Sequence, residues 1–416
     1  MRRFQALLFT ILMAIAHIAP ACSRSDDGPS AHRFTTFAEN GIPVSFSEGA
    51  PLYEGELFTY EEVCRLEQDE SREETILYRA SLQTCGPDGR YYVTDIGNGR
   101  IAVFGSQGKY FFGFGRAGDG PGEFRSPHIM TVDQEGLLVF DRNNRRTTRF
   151  GLDGIFREYV SLTFTDLSVT ALHPLPGGKK LVVSRETDRT DLTQLRSRYR
   201  CQILGAAGDT AGTVIGGWNE EGRMRQSGNI LYQNPVTFSS RARVQYESGW
   251  GILCWDSSCP ELRWFDTTGS PSRIMRLDWE RVPVTDSDRL TTRQRYEYYR
   301  DISENEQTRE LQETLLKNLE FADYHPFWAS ISVDEDGYLW LRKPEVYADW
   351  EPEKKYYPVF RVLNPEGEYL GDSTQLHRGT VSRGKLLTQQ SDEETGEVSF
   401  IIYEIIPIPE DLVYPR

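Results

Sequence analysis

Histidine, cysteine and the carboxylates are the side chains through which this chain could bind a metal or attack a substrate. Of six histidines, His128, His173 and His325 each stand near the start of an apolar, strand-like run. Three imidazoles brought together would hold a metal with an open coordination position, the arrangement of a catalytic site. Kept apart, they are loop histidines making local hydrogen bonds. Cys254 and Cys259 flank a polar turn, Trp255-Asp256-Ser257-Ser258, and could bridge a hairpin. A metal site there is the weaker reading, because no CxxC and no nearby histidine accompany them. Five cysteines besides Cys22 is an odd number, so at least one is free or pairs outside the chain. No GxSxG occurs and no Ser-His-Asp set is supported. With 62 acidic residues, no spacing singles out calcium ligands. No cofactor is strongly implied.

The elements that would position these groups follow from composition and pattern. The chain has 416 residues, of which 12% are aromatic, and a net charge of −15. That aromatic content excludes a disordered chain. The acidic balance argues against nucleic acid, whose backbone demands Lys and Arg. No basic stripe interleaved with aromatics is evident. The single long apolar run is Phe4 to Ile18, behind Arg2-Arg3. It is shorter than the ~20 residues that span a bilayer. With Ala19-Pro20-Ala21-Cys22 it resembles a bacterial lipoprotein signal, which implies lipidation of Cys22. An ordinary secretory signal cleaved near Ala21 is the alternative. Residues 1–21 are thus read as the signal and 22–42 as a polar tether. Residues 43–416 form the body, and export makes disulfides permissible.

An internal repeat organises the body. Asp95-Ile96-Gly97-Asn98-Gly99-Arg100-Ile101-Ala102-Val103-Phe104, followed by Gly108, matches the stretch from Asp141 through Asn144, Arg146 and Phe150 to Gly154. The copies lie 46 positions apart. Each reads as alternating strands separated by Gly and Asn turns. Four strands per ~40–50 residues is the arithmetic of a β-propeller blade. Six blades are predicted, at about 77–122, 123–166, 167–220, 228–282, 325–377 and 378–407. The sixth needs an N-terminal strand from residues 43–60 to close the ring, with Pro43 to Ser47 the candidate. The repeated Asp, Asn and Arg read as scaffold, since a reaction needs each role once. Residues 284–321 break the strand pattern. Thr285 with Asp288 and Ser303 with Glu306 read as capping boxes, and Leu311, Leu315 and Leu319 as one helical face. This is a helical hairpin between blades four and five. It is expected over or beside the mouth where the innermost strands begin, as a lid, a docking element or simple decoration.

Tyr92-Val93-Thr94-Asp95, with Asn98 to Phe104 and Gly108-Lys109, resembles an NHL repeat, as does Gly118-Asp119-Gly120-Pro121-Gly122-Glu123-Phe124 between blades. The whole resembles the bacterial six-bladed-propeller lipoproteins related to NHL proteins. That resemblance implies an all-β toroid with a central channel, but not one reaction. Ser126-Pro127-His128-Ile129 also resembles the metal-binding blade start of the peptidyl-hydroxyglycine lyases. The expected function is a cell-envelope lipoprotein that binds an unnamed protein or small molecule. It would be membrane-attached through its lipid, at the outer membrane or facing the periplasm. The alternative is a metal-dependent hydrolase or lyase at the channel mouth.

Overall fold

The computed structural model describes residues 31–415, apart from 145, 162–168, 189, 192–194, 207–209, 228–229, 345–349, 353, 355, 375–378 and 392–397. The signal, Cys22 and residues 23–30 of the tether lie outside the described residues.

Six antiparallel sheets surround one axis, as the repeat predicts. Blade 1 runs Ala80–Cys85, Tyr91–Asp95, Arg100–Phe104, Tyr110–Phe114 from the axis outward, and blade 2 runs Pro127–Asp133, Gly136–Asp141, Arg146–Phe150, Phe156–Ser161. Blades 3 to 6 begin with the inner strands Val169–Pro174, Ala242–Glu247, Ser330–Val333 and Gly379–Ser382. The apolar residues of each middle strand alternate between its two faces. Tyr91 and Val93 pack with Phe400 and Ile402 of blade 6, whereas Tyr92 packs with Val139 and Phe150 of blade 2. Every neighbouring pair of blades shares one such cluster, and the sixth cluster joins blade 6 to blade 1, so the ring is closed. The interfaces are unequal. Blades 5 and 6 bury Trp340, Phe360, Ile401 and Ile405 among others. Among the described residues, the cluster between blades 2 and 3 holds Phe140, Leu172, Val182 and Leu204, with Val169 packed against it.

The repeated Asp-Asn-Arg motif clamps the chain between blades. Asp95 and Asp141 are fully buried. The Asp95 carboxylate accepts from the Tyr78 amide, and that of Asp141 from the amides of Arg125 and Ser126. Asn98 Nδ2 donates to Asp95 and to the Ile76 carbonyl; Asn144 Nδ2 donates to Asp141 and to the Gly118 carbonyl. Arg100 and Arg146 complete each clamp on the carbonyls of Ile76 and of Gly120 and Glu123. All three side chains serve the scaffold, in both copies.

The N-terminal segment departs from expectation. Blade 6 is indeed completed from the N-terminus, but by Phe58–Arg65, paired antiparallel with Val398–Pro407. Ile42–Glu48, which contains the expected closing strand Pro43 to Ser47, instead lies parallel to Pro271–Leu277 at the rim of blade 4. Arg33–Glu39, assigned to the tether, forms a hairpin with it. A strand's face pattern fixes which side is buried, not which distant edge receives it. Blade 3 also carries an unexpected hairpin, Asn219–Ser227 with Ile230–Asn234.

The two helices are α1 (Asp286–Ile302) and α2 (Glu306–Lys317). Thr285 and Asp288 form the expected capping box. The second cap is Asn305, accepting from the Thr308 amide, and not Ser303, which ends α1. Leu316 is the buried member of α2, and Leu311 is exposed. Among the described residues no helix is long and apolar enough to cross a membrane.

Within each blade the strands alternate in direction, so the inner strands all begin on one face of the ring, the front, and end on the other, the back. The outer strand Pro271–Leu277 finishes at the front, which places α1 and α2 there. Ile42–Glu48 runs parallel to that strand and Arg33–Glu39 antiparallel, so Arg33 also lies at the front.

Candidate functional site

The inner strands converge at the back. Thr84, Val132, His173, Glu247, Val333 and Ser382, one from each blade, line an axial pocket of about 190 Å3. Beside it a larger cleft of about 660 Å3 opens between blades 2 and 3, lined by Asp133, Arg149, Glu158, Tyr159, Lys179 and Tyr246 among others. The two share His173, Tyr246 and Ser248. The cleft lies where, among the described residues, the apolar cluster between blades is smallest. Among the described residues, the small cluster between blades 2 and 3 leaves the wedge toward the back unfilled.

Hydrogen bonds hold the walls of the pocket. The Arg383-Gly384 turn has φ of 47° and 65°, the pair of left-handed residues that a tight two-residue hairpin requires. It carries the Arg383 guanidinium to the Cys85 carbonyl of blade 1 at 3.2 Å. Glu335 accepts from the Ser382 hydroxyl at 2.6 Å and the Arg383 amide at 2.9 Å. Asp334, fixed by the Tyr414 hydroxyl and the Trp340 indole, is pushed up by burial to about 6.

Glu247 and His173 of the pocket stand outside this network. Glu247 accepts from Gln245 Nε2 at 2.6 Å. Burial raises its pKa to about 7; the Gln245 bond opposes that rise and Glu335 adds to it. His173 is buried against the Tyr246 ring, 4.8 Å between centroids, and burial lowers its pKa to about 4. The site therefore offers an imidazole that burial keeps uncharged at neutral pH, a carboxyl whose pKa burial raises to about 7, and a tyrosine wall. Arg149 pairs with Glu135 and Glu158 of the cleft, and Lys179 lines it as well.

These shifts set a pH dependence. Glu247 moves from 4.5 to about 7 on folding. The folded state thus keeps its proton, and the group costs stability only as pH rises toward 7. His173 moves from 6.5 to about 4. Its contribution is complete above 6.5 and is lost as pH falls toward 4. Between 4.5 and 6.5 the two slopes oppose. Glu247→Gln is expected to raise Tm relative to the native protein at pH 8 and to leave it unchanged at pH 4. An equal difference at both pH values would refute this assignment.

The three histidines do not come together. His128 is the second residue of its inner strand, at the front, and burial by the ring lowers its pKa. His173 is the fifth of six residues in its strand, at the back. His325 precedes the inner strand of blade 5, where Nε2 lies 3.2 Å from Asp288 Oδ2 and its ring lies against Phe238. It braces the Thr285 cap of α1, since the same Asp288 oxygen accepts from the Thr285 hydroxyl. Among the described residues no three His, Cys, Asp or Glu side chains are grouped as a metal site. The bridge expected between Cys254 and Cys259 is not formed, and both thiols are free. The strand register sets Cys254 opposite Arg263, while Cys259 occupies the turn, so the two do not face one another. The helical hairpin sits at the front, across the ring from the cleft, so it is no lid for it.

Sequence reasoning missed Tyr246, Glu247 and Lys179. Their only common signal is position: each lies at the edge of a turn joining an inner strand to its neighbour.

Residues 73–199 match a family described as a 6-bladed beta-propeller, DUF5128. That is the fold of this chain. Among solved structures, a protein from Bacteroides fragilis described as exported is 12% identical, covering 84% of this chain and 95% of that chain, with a TM-score of 0.46. A member of the duf4221 family from Bacteroides vulgatus is 13% identical, covering 84% of this chain and 98% of that chain, with a TM-score of 0.45. A virginiamycin B lyase from Staphylococcus aureus, in a structure with quinupristin, is 9% identical, covering 84% of this chain and 99% of that chain, at 0.33. At this level of similarity none of them speaks to what this propeller binds.

Proposed function

We propose that this propeller is an envelope-anchored binding protein, tethered through a lipid on Cys22, whose small polar ligand enters the back cleft. The observation that carries this reading is the cleft itself. Its volume of about 660 Å3 falls in the range of ligand sites, ~300–1,000 Å3. It continues into the axial pocket through His173 and Tyr246. Acidic and basic groups line it together, which suits a neutral or zwitterionic molecule such as a short peptide or a sugar. A thermal-shift screen of dipeptides and oligosaccharides tests this, since a ligand that binds only the folded state raises Tm. A hit is expected whose shift disappears in Tyr246→Ala and persists in Leu311→Ala on the opposite face. No hit, or a hit indifferent to Tyr246, would overturn the reading.

The anchor has its own test. Cys22→Ser is expected to move the protein from the membrane to the aqueous fraction, because acyl chains supply the apolar attachment. A variant that sediments with membranes like the native protein would refute lipidation.

A further inference from the structure

The front of the ring holds a second feature, independent of the back cleft. In blade 3, Arg185 lies directly across the strand pair from Tyr199, so their side chains share the face turned toward blade 4. The Arg185 Nε donates to the Ser197 hydroxyl at 3.1 Å. From blade 4, the guanidinium of Arg243 lies over the Tyr199 ring at 4.2 Å from its centroid. Arg243 is the second residue of its inner strand, so this group stands beside the front mouth of the channel.

Arg243 thus stacks on Tyr199 with Arg185 as a nearby like charge. Among the described residues no carboxylate is ion-paired with Arg243, and no hydrogen bond engages its guanidinium. Burial, and then the charge of Arg185, hold its pKa below the usual arginine value. The neighbouring arginines differ. Arg198 and Arg200 both pair with Glu186. Stacking uses the face of a guanidinium and leaves its in-plane N–H donors free. Those donors are the groups that grip a planar or tetrahedral oxyanion in pairs. A half-buried cation next to a like charge, in a chain with net charge −15, is a costly arrangement unless an anion completes it.

We propose that the front mouth between blades 3 and 4 is an oxyanion site, in which Arg243 clasps a carboxylate or phosphate group with Arg185 as its charged neighbour. The site does not depend on the back cleft, and neither result bears on the other.

The test uses inorganic phosphate and acetate as probes, with chloride at equal ionic strength as the reference. Phosphate or acetate is expected to raise Tm by roughly 2 °C or more over chloride. A shift with phosphate alone identifies a phosphate site; one with acetate as well identifies a carboxylate site. Arg243→Gln should lose the shift. Should that variant fail to fold, phenylglyoxal labelling of the native protein replaces it. Phosphate should then slow modification of Arg243 at least ~fivefold relative to exposed Arg116, as bidentate contacts would. The proposal is overturned if neither anion exceeds chloride, if Arg243→Gln keeps the full shift, or if phosphate protects Arg243 no better than Arg116.

Discussion

Removal of residues 31–66 is expected to abolish the cooperative unfolding transition. The deleted segment carries Phe58–Arg65, the outer strand of blade 6. It also carries Leu57 and Phe58, buried to 0% and 1% exposure. Phe58 lies 5.4 Å from Trp340 and 4.9 Å from Tyr414, so it joins blade 6 to blade 5 and the C-terminal tail. Losing a buried Leu and a buried Phe costs about 5–10 kcal/mol on mutational precedent. That rivals the ~5–15 kcal/mol by which a folded protein exceeds its unfolded state. The open edge of Val398–Pro407 would also template association. Removing residues 31–49 alone should be milder. It strips the added hairpin from the rim of blade 4 and leaves the ring closed. Thermal unfolding with size-exclusion chromatography separates the cases. A monomer lacking 31–66 with an unchanged Tm would contradict the closure assigned to Phe58–Arg65.

Asp141→Ala is the point substitution expected to do the most damage. Its buried carboxylate accepts from the amides of Arg125, Ser126 and Asn144 and from Asn144 Nδ2. Alanine would leave these donors without acceptors in the interior. A loss of about 3 kcal/mol or more is expected, the scale of breaking a buried charged network. Asp153→Ala, at a half-exposed turn aspartate, should change stability by under about 0.5 kcal/mol. Urea unfolding of the two variants measures the difference. Equal, small effects would show that the repeated motif is not the clamp between blades.

The propeller was readable because its signal is local. Asp95, Asn98 and Arg100 act on the turn they stand in and on the loop just before it, so their offsets survive in the sequence. What distant parts of the chain supply was not readable. Phe58–Arg65 hides its strand behind Glu61 and Glu62, and its partner strand lies more than 300 residues away. Ile42–Glu48 shows good alternation but nothing that names Pro271–Leu277 as its neighbour. His173 stands near the end of its strand and not near the start, as the turn Pro174-Leu175-Pro176-Gly177 after it signals. The pocket was least readable of all, because Thr84, His173, Glu247 and Ser382 are neighbours only once the ring has closed.

That closure has a consequence in time. Phe58–Arg65 is made before any blade, and the strand it pairs with is made after the other five blades. Ile42–Glu48 likewise waits for Pro271–Leu277. Blades 1, 2, 3 and 5 contain all their own strands and are able to form as they emerge, since their contacts are close in sequence. The annulus cannot shut until Val398–Pro407 of blade 6 has been made. Until then Phe58–Arg65 is a lone strand with no ladder partner. The adjacent charges of Glu61 and Glu62 suit it to that interval, because like charges discourage two copies from zipping together. A late latch of this kind keeps the ring open until its sixth blade has been delivered. The assembled wheel is then locked by a contact that no fragment contains.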